Sequence, residues 1–195
     1  MRSYAHQTDE SGKKDTGMRT PIEQTQEGYA VGELQEEDIE NLIPIFQKWV
    51  QHHGQVIESE VRQIVDMLRS DLAAGNERVY LVARDFHGRA VGVMGCGEVS
   101  SLMAGYRSAP DIRAAGLLAA FMSDECRGKG IGKTLLLALF ERAGRNGWAE
   151  MIWSSNPRYR ETAWKFYTFI AGEPVSMIAD FFEPGSLSPV WRKHL

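Results

Sequence analysis

Asp124-Glu-Cys-Arg-Gly-Lys-Gly-Ile-Gly-Lys-Thr134 is the stretch around which the chain is organised. From Arg127 to Lys133 it packs three glycines and three cations into seven residues. A run of small and apolar residues, Ala114 to Met122, ends just before it and suits a buried strand. Just after it, Ile131, Leu135, Leu136, Leu139, Phe140 and Ala143 recur at helical spacing. A strand, a glycine turn and a helix N-terminus together make an anion site. Glycine lets the backbone approach a ligand, several N–H groups point the same way, and the helix dipole favours negative charge. The ligand implied carries phosphates.

Two familiar phosphate motifs fail on these residues. A Walker A loop needs glycine, four residues, then Gly-Lys-Ser/Thr. Gly132-Lys133-Thr134 supplies the ending, but the opening glycine falls on Arg127, and Gly128 comes one residue too late. The dinucleotide fingerprint G-x-G-x-x-G runs into Lys133 when started at Gly128, and into Leu135 when started at Gly130. What fits is Arg/Gln-x-x-Gly-x-Gly/Ala, present as Arg127-Gly-Lys-Gly130-Ile-Gly132. This resembles the acyl-CoA pyrophosphate loop of the GCN5-related N-acetyltransferase (GNAT) superfamily. The plain alternative is an ordinary glycine turn entering a helix.

The chain has 195 residues, enough for one well-cored domain and short for two. Its hydrophobic fraction of 43% and charged fraction of 25% are those of an ordinary globule. No apolar run approaches the ~20 residues of a membrane span, and the first thirty residues lack the apolar block of a signal peptide. Cys96 and Cys126 are the only cysteines, too few for a disulfide framework or a four-ligand zinc set, so a cytoplasmic setting is the expectation. The net charge of −4 argues against nucleic acid as a general partner.

Residues 1–27 are polar and aperiodic, which predicts a flexible tail before a single domain over 28–195. Tyr29 to Leu34 reads as a strand. Ile39, Leu42, Ile43, Phe46 and Val50 mark a helix that Pro44 should bend or interrupt. Val61, Ile64, Val65, Leu68 and Leu72 mark a second helix, ending near Gly75. Val79–Ala83 and Ala90–Cys96 read as a hairpin, and the long loop from Ser100 to Arg113 as functional. Trp148–Trp153 is the next strand, Arg160–Ile170 a helix, and Val175–Phe182 a last strand before a short extension from Pro184. This alternation predicts an α/β fold: a mixed sheet of six to seven strands flanked by about four helices. The order also resembles the GNAT fold, from about Tyr29 to Phe182.

The resemblance implies an acetyl-CoA-dependent N-acetyltransferase that passes acetyl directly to a primary amine. The pyrophosphate would lie on the backbone of Arg127, Gly128, Lys129, Gly130, Ile131, Gly132 and Lys133, with the three cations adding charge. The extended pantetheine arm would pair with the edge of the strand before the loop, at Ala120, Phe121 and Met122. Tyr167, four residues after Ala163 in the family's Ala-x-x-x-Tyr pattern, would lie near the thioester sulfur and donate to the departing thiolate. Arg160 stands where the family has asparagine, and the nearest asparagine is Asn156. An alkylammonium needs a base before it is a nucleophile; Glu98, at a strand end, is the first choice and Asp111 the second. No metal is implied. The acceptor, a small molecule or a protein amine, is open, as is monomer against homodimer. The rival classes are a non-catalytic CoA-binding module and a P-loop-like NTPase or kinase built on Gly132-Lys133-Thr134.

Overall fold

Strands in the middle of the chain alternate between two apolar faces, and that alternation sets the architecture. Along Val79–Arg84, Val79, Leu81 and Ala83 enter one core, while Tyr80 and Val82 enter another. A strand buried on both faces must lie between two helical layers. The computed structural model describes residues 23–24 and 28–195. The expected tail, residues 1–27, lies outside these, except for the backbone of Glu23–Gln24.

The elements are β1 (Glu23–Gln24), β2 (Ala30–Glu33), α1 (Glu36–Trp49), β3 (Gln51–His52), β4 (Gln55–Val56), α2 (Glu58–Ala74), β5 (Val79–Arg84) and β6 (Ala90–Glu98). There follow β7 (Ala114–Met122), α3 (Ile131–Arg145), β8 (Glu150–Ser154), α4 (Lys165–Ala171), β9 (Ser176–Ala179) and β10 (Leu187–His194). The main sheet has the order β1-β2-β5-β6-β7-β8-β10-β9, and only the β7–β8 pair is parallel. β3 and β4 form a small separate hairpin. Helices α1 and α2 pack on one face through Leu42, Phe46, Val61 and Leu68; α3 and Tyr167 of α4 pack on the other, with Leu135, Leu139, Trp153 and Trp191. The mixed α/β sheet with four α-helices is the expected fold. None of the described helices is long and apolar enough to cross a membrane.

Helix α2 ends as expected, at Gly75 in the left-handed conformation (φ +56°). Three other expectations need correction. Helix α1 runs through Pro44 without interruption. The carbonyl that loses its donor there belongs to Glu40, and both residues lie on the exposed side where water can serve. The segment after Pro184 is no short extension: β10 is eight residues long and inserts between β8 and β9. Ser188, Pro189, Val190 and Trp191 of that strand are buried. Pro189 is tolerated because pairing with β8 begins only at Val190, so its missing N–H breaks no β8 ladder bond. The helix expected from Arg160 begins as a π-helical turn, Arg160–Trp164, and becomes α-helical at Lys165.

Candidate active site

The parallel pairing of β7 with β8 stops early. It holds for Ala114↔Glu150, Ala115↔Met151 and Gly116↔Ile152, after which β8 leaves while β7 stays on β6 as far as Met122. A bulge occurs at this point, since Gly95 pairs with Ala119 but Cys96 with Leu117, leaving Leu118 unpaired. The two strands splay apart and a cleft opens between them. Its lining includes Leu117 to Phe121 from one side, Ser154 to Asn156 and Tyr159 from the other, and Tyr167.

The register settles which main-chain groups face this cleft. Ser123 N–H donates to Val91 C=O at 2.8 Å, so in an alternating strand Phe121 and Ala119 bond toward β6, while Met122 and Ala120 point away from it. Ala120 and Met122 therefore present N–H and C=O groups to the cleft. Phe121 does not; its main chain belongs to the β6 ladder, and its ring meets Phe46 edge-on at 5.1 Å. One cleft-facing group is already engaged, because the Trp49 indole N–H donates to Met122 C=O at 2.7 Å. Trp49 carries no motif, and only the tertiary packing of α1 brings it here.

Beyond Met122 the chain makes a tight turn over Asp124–Cys126 and reaches the glycine loop. Gly128 and Gly130 have φ of +73° and +75°, and a Cβ built on either would meet nothing within 4 Å. Both positions thus need glycine for the backbone, and both leave open space in front of it. Thr134 N–H donates to Gly130 C=O at 3.0 Å, the first bond of α3. Among the described residues, no protein acceptor meets the N–H of Gly128, Gly130, Ile131 or Gly132. Four donors and a helix N-terminus share one small surface.

The three cations of the loop each lie over an aromatic ring. Arg127 is 5.4 Å from the Trp49 ring and bonds Asp124 at 2.8 Å. Lys129 is 5.7 Å from the Tyr29 ring, and Lys133 is 5.4 Å from that of Phe169. Ile131 points inward, 1% exposed, and anchors the helix start in the core. Unpaired N–H groups, open glycine faces and nearby cations fit the pyrophosphate of an acyl-CoA, and the cleft-facing edge at Ala120 and the Met122 N–H fits its amide-bearing arm.

Tyr167 lies at the floor of the cleft, 6% exposed, with the rings of Trp191 and Trp153 at 5.3 and 5.7 Å. Among the described residues its hydroxyl has no hydrogen-bond partner. Burial, with a smaller contribution from Tyr159, raises its pKa well above the usual phenol value, so the proton stays on. Asn156 also lines the cleft, its Oδ1 accepting from Arg158 N–H at 2.9 Å. Cys126 is buried, and burial pushes its thiol pKa up, which suits packing rather than nucleophilic chemistry.

The carboxylates chosen from sequence are not brought together with these groups. Glu98 is exposed at the end of β6, opposite Ala115, and is absent from the cleft lining; Asp111 is exposed in the long loop. That loop is held to the sheet instead, where Ser108 N–H and Oγ donate to the buried Glu150 carboxylate at 3.0 and 2.7 Å.

Comparison with known proteins gives the same placement. The profile of the Acetyltransferase (GNAT) family matches residues 39–169. No curated protein sequence matches the chain. Among solved structures, a GNAT-family protein from Desulfovibrio desulfuricans superposes with a TM-score of 0.67 at 12% identity, over 85% of this chain and 98% of that one. A phosphinothricin acetyltransferase from Sinorhizobium meliloti, in complex with acetyl-CoA, gives 0.62 at 20% identity, over 86% and 89%. The PaiA N-acetyltransferase from Thermoplasma acidophilum, in complex with coenzyme A, gives 0.61 at 18% identity, over 86% and 99%. At these identities the superpositions speak for the fold, while the profile covers more than half of the sequence. The chain belongs to the GNAT family of acetyltransferases.

Proposed function

We propose that the protein is an acetyl-CoA-dependent N-acetyltransferase that passes the acetyl group directly to an amine held in the β7–β8 cleft. The observation that carries this reading is the continuity of the cleft with the glycine loop. The cleft-facing main-chain groups of Ala120 and the N–H of Met122 lead straight into the N–H groups of Gly128, Gly130, Ile131 and Gly132, which meet no acceptor among the described residues. An extended molecule with amides at one end and a pyrophosphate at the other meets matching partners along its whole length.

The residues divide the work. The loop N–H groups, helped by Arg127, Lys129 and Lys133, hold the pyrophosphate. Ala120 and Met122 pair with the arm in β fashion and fix its depth, which places the thioester in the cleft. Main-chain N–H at the end of β7 can polarise the thioester carbonyl. Tyr167 donates a hydrogen bond to the departing sulfur. Its place in the cleft supports the role, and burial keeps the phenol protonated, so Tyr167 can stabilise charge on sulfur through a hydrogen bond. Glu98 is exposed at the end of β6 and is not among the residues that line this cleft, so it is assigned no role.

Thiol release from acetyl-CoA, followed with a panel of amines, tests the reading. Amine-dependent release with N-acetylated product supports it. Binding of acetyl-CoA without turnover of any amine would leave a CoA-binding module in its place.

A further inference from the structure

We infer that the acceptor amine belongs to an α-amino acid, recognised by Glu60 and Arg158 as a pair. The inference rests on the reading above and concerns the acceptor half of the same cleft. Of the described residues that line the cleft, only these two are charged, one of each sign. A polyamine would call for several carboxylates, and a phosphorylated acceptor for several cations. One carboxylate beside one guanidinium matches a ligand carrying one ammonium beside one carboxylate.

The two side chains come from opposite walls. Glu60 sits in the first turn of α2, and Arg158 in the short turn that follows β8; Arg158 Nη2 donates to Glu60 Oε2 at 2.9 Å. Arg158 is well positioned. Its turn opens with Pro157, Asn156 Oδ1 accepts its N–H at 2.9 Å, and its guanidinium lies 5.0 Å from the Tyr159 ring. The Tyr159 hydroxyl is fixed in turn, donating to Trp49 C=O at 3.1 Å. Among the described residues, Glu60 accepts from this guanidinium and the Tyr159 hydroxyl lies beside it, so several of its five N–H donors remain available to a planar carboxylate. With side chains 30% and 43% exposed, the ion pair contributes little to stability and is easily exchanged for ligand groups.

The exchange also yields the base that Glu98 does not supply. When Arg158 takes the carboxylate of the amino acid, Glu60 is released to face the ammonium. The ammonium gives one proton to Glu60, which passes it to solvent. The nitrogen lone pair forms the C–N bond to the thioester carbonyl carbon, and the C–S bond breaks. The second N–H proton goes to the departing thiolate, leaving the N-acetylamino acid and free CoA thiol.

The test uses the full chain, acetyl-CoA, and three sets of acceptors: the twenty common L-amino acids, their carboxamides, and spermidine with simple alkylamines. Thiol release is expected with at least one amino acid, and its carboxamide should show kcat/KM about 10- to 100-fold lower, the range for a lost charge-assisted hydrogen bond. Arg158→Gln should bring the acid-to-amide ratio near one. Glu60→Gln should lower kcat, and both variants should keep the melting shift given by acetyl-CoA. Three results would overturn the assignment: carboxamides or alkylamines used as well as the acids, an Arg158→Gln variant with an unchanged acid-to-amide ratio, or no turnover of any acceptor by protein that binds acetyl-CoA. Loss of acetyl-CoA binding by the unaltered chain is a different failure, which removes the donor site and this proposal with it.

Discussion

Tyr167 and Gly130 carry the two halves of the proposed chemistry, and each makes a distinct demand. Tyr167 is a buried residue that lines the cleft, its hydroxyl has no partner among the described residues, and its ring packs against Trp153 and Trp191. Replacing it with phenylalanine removes one oxygen and leaves the ring contacts with Trp153 and Trp191. Tyr167→Phe should therefore lower kcat by about 10- to 100-fold, with a smaller change in the KM for acetyl-CoA, because the lost bond strengthens only as charge forms on sulfur. Steady-state kinetics on the two proteins reads this directly, and equal kcat values would remove Tyr167 from the mechanism. Gly130 is a matter of shape and charge. Its φ of +75° excludes most side chains at a cost of about 1–2 kcal/mol, and the space before it is where an anion would sit. Both residues were legible in the sequence through their spacing. Glu60, Arg158 and Trp49 were not: they stand in no motif and meet at the cleft through tertiary packing alone.

At the level of elements, β6 and β7 decide whether the cleft exists. Gly95 lies where β7 bulges, and a Cβ added there would come within 2.2 Å of the Tyr80 ring. That ring has little freedom, since its hydroxyl donates to Asp71 at 2.6 Å. Gly95→Ala should destabilise the fold by about 1–3 kcal/mol, the usual cost of overpacking, measurable by urea unfolding. An unchanged midpoint would mean that Tyr80 moves aside freely. The same elements show what a sequence can and cannot disclose. Strand β7, the loop and α3 were readable because an apolar run, a cluster of glycines and a 3.6-residue period succeed one another without a gap. The splay was hidden, since nothing in Glu150–Ser154 records that its neighbour continues for six residues more. Strand β10 was hidden by Pro189 and by the polar Arg192-Lys193-His194 at its end, although the sheet buries its middle. Even the direction of the Phe121 backbone depended on register, which moved one expected contact to the far side of the strand.

On the scale of the whole molecule, both faces of the sheet are covered, and burial of protonated groups ties stability to pH. Burial pushes the Cys96 thiol up to about 12 from 9.0. Burial also raises the phenols of Tyr80, with its bond to Asp71, and Tyr167. A raised folded pKa means that the unfolded chain gives up its proton first. Their contribution is complete below pH 9 and drains away as pH rises toward the folded values, by about 1.4 kcal/mol per pH unit for each group in its window. The melting temperature should therefore fall steeply above pH 9; a flat profile to pH 11 would show that these groups reach water. The donor site makes the most direct claim on the whole molecule, and a melting experiment at neutral pH tests it. The unaltered chain and Gly130→Asp would each be heated alone, with acetyl-CoA and with Mg-ATP. Saturation at 100 times Kd adds about 2.7 kcal/mol, a rise on the order of 5–10 °C for a domain of this size. The account predicts that rise with acetyl-CoA only, and its loss in Gly130→Asp. A rise with Mg-ATP alone, or an acetyl-CoA response untouched by the aspartate, would contradict it.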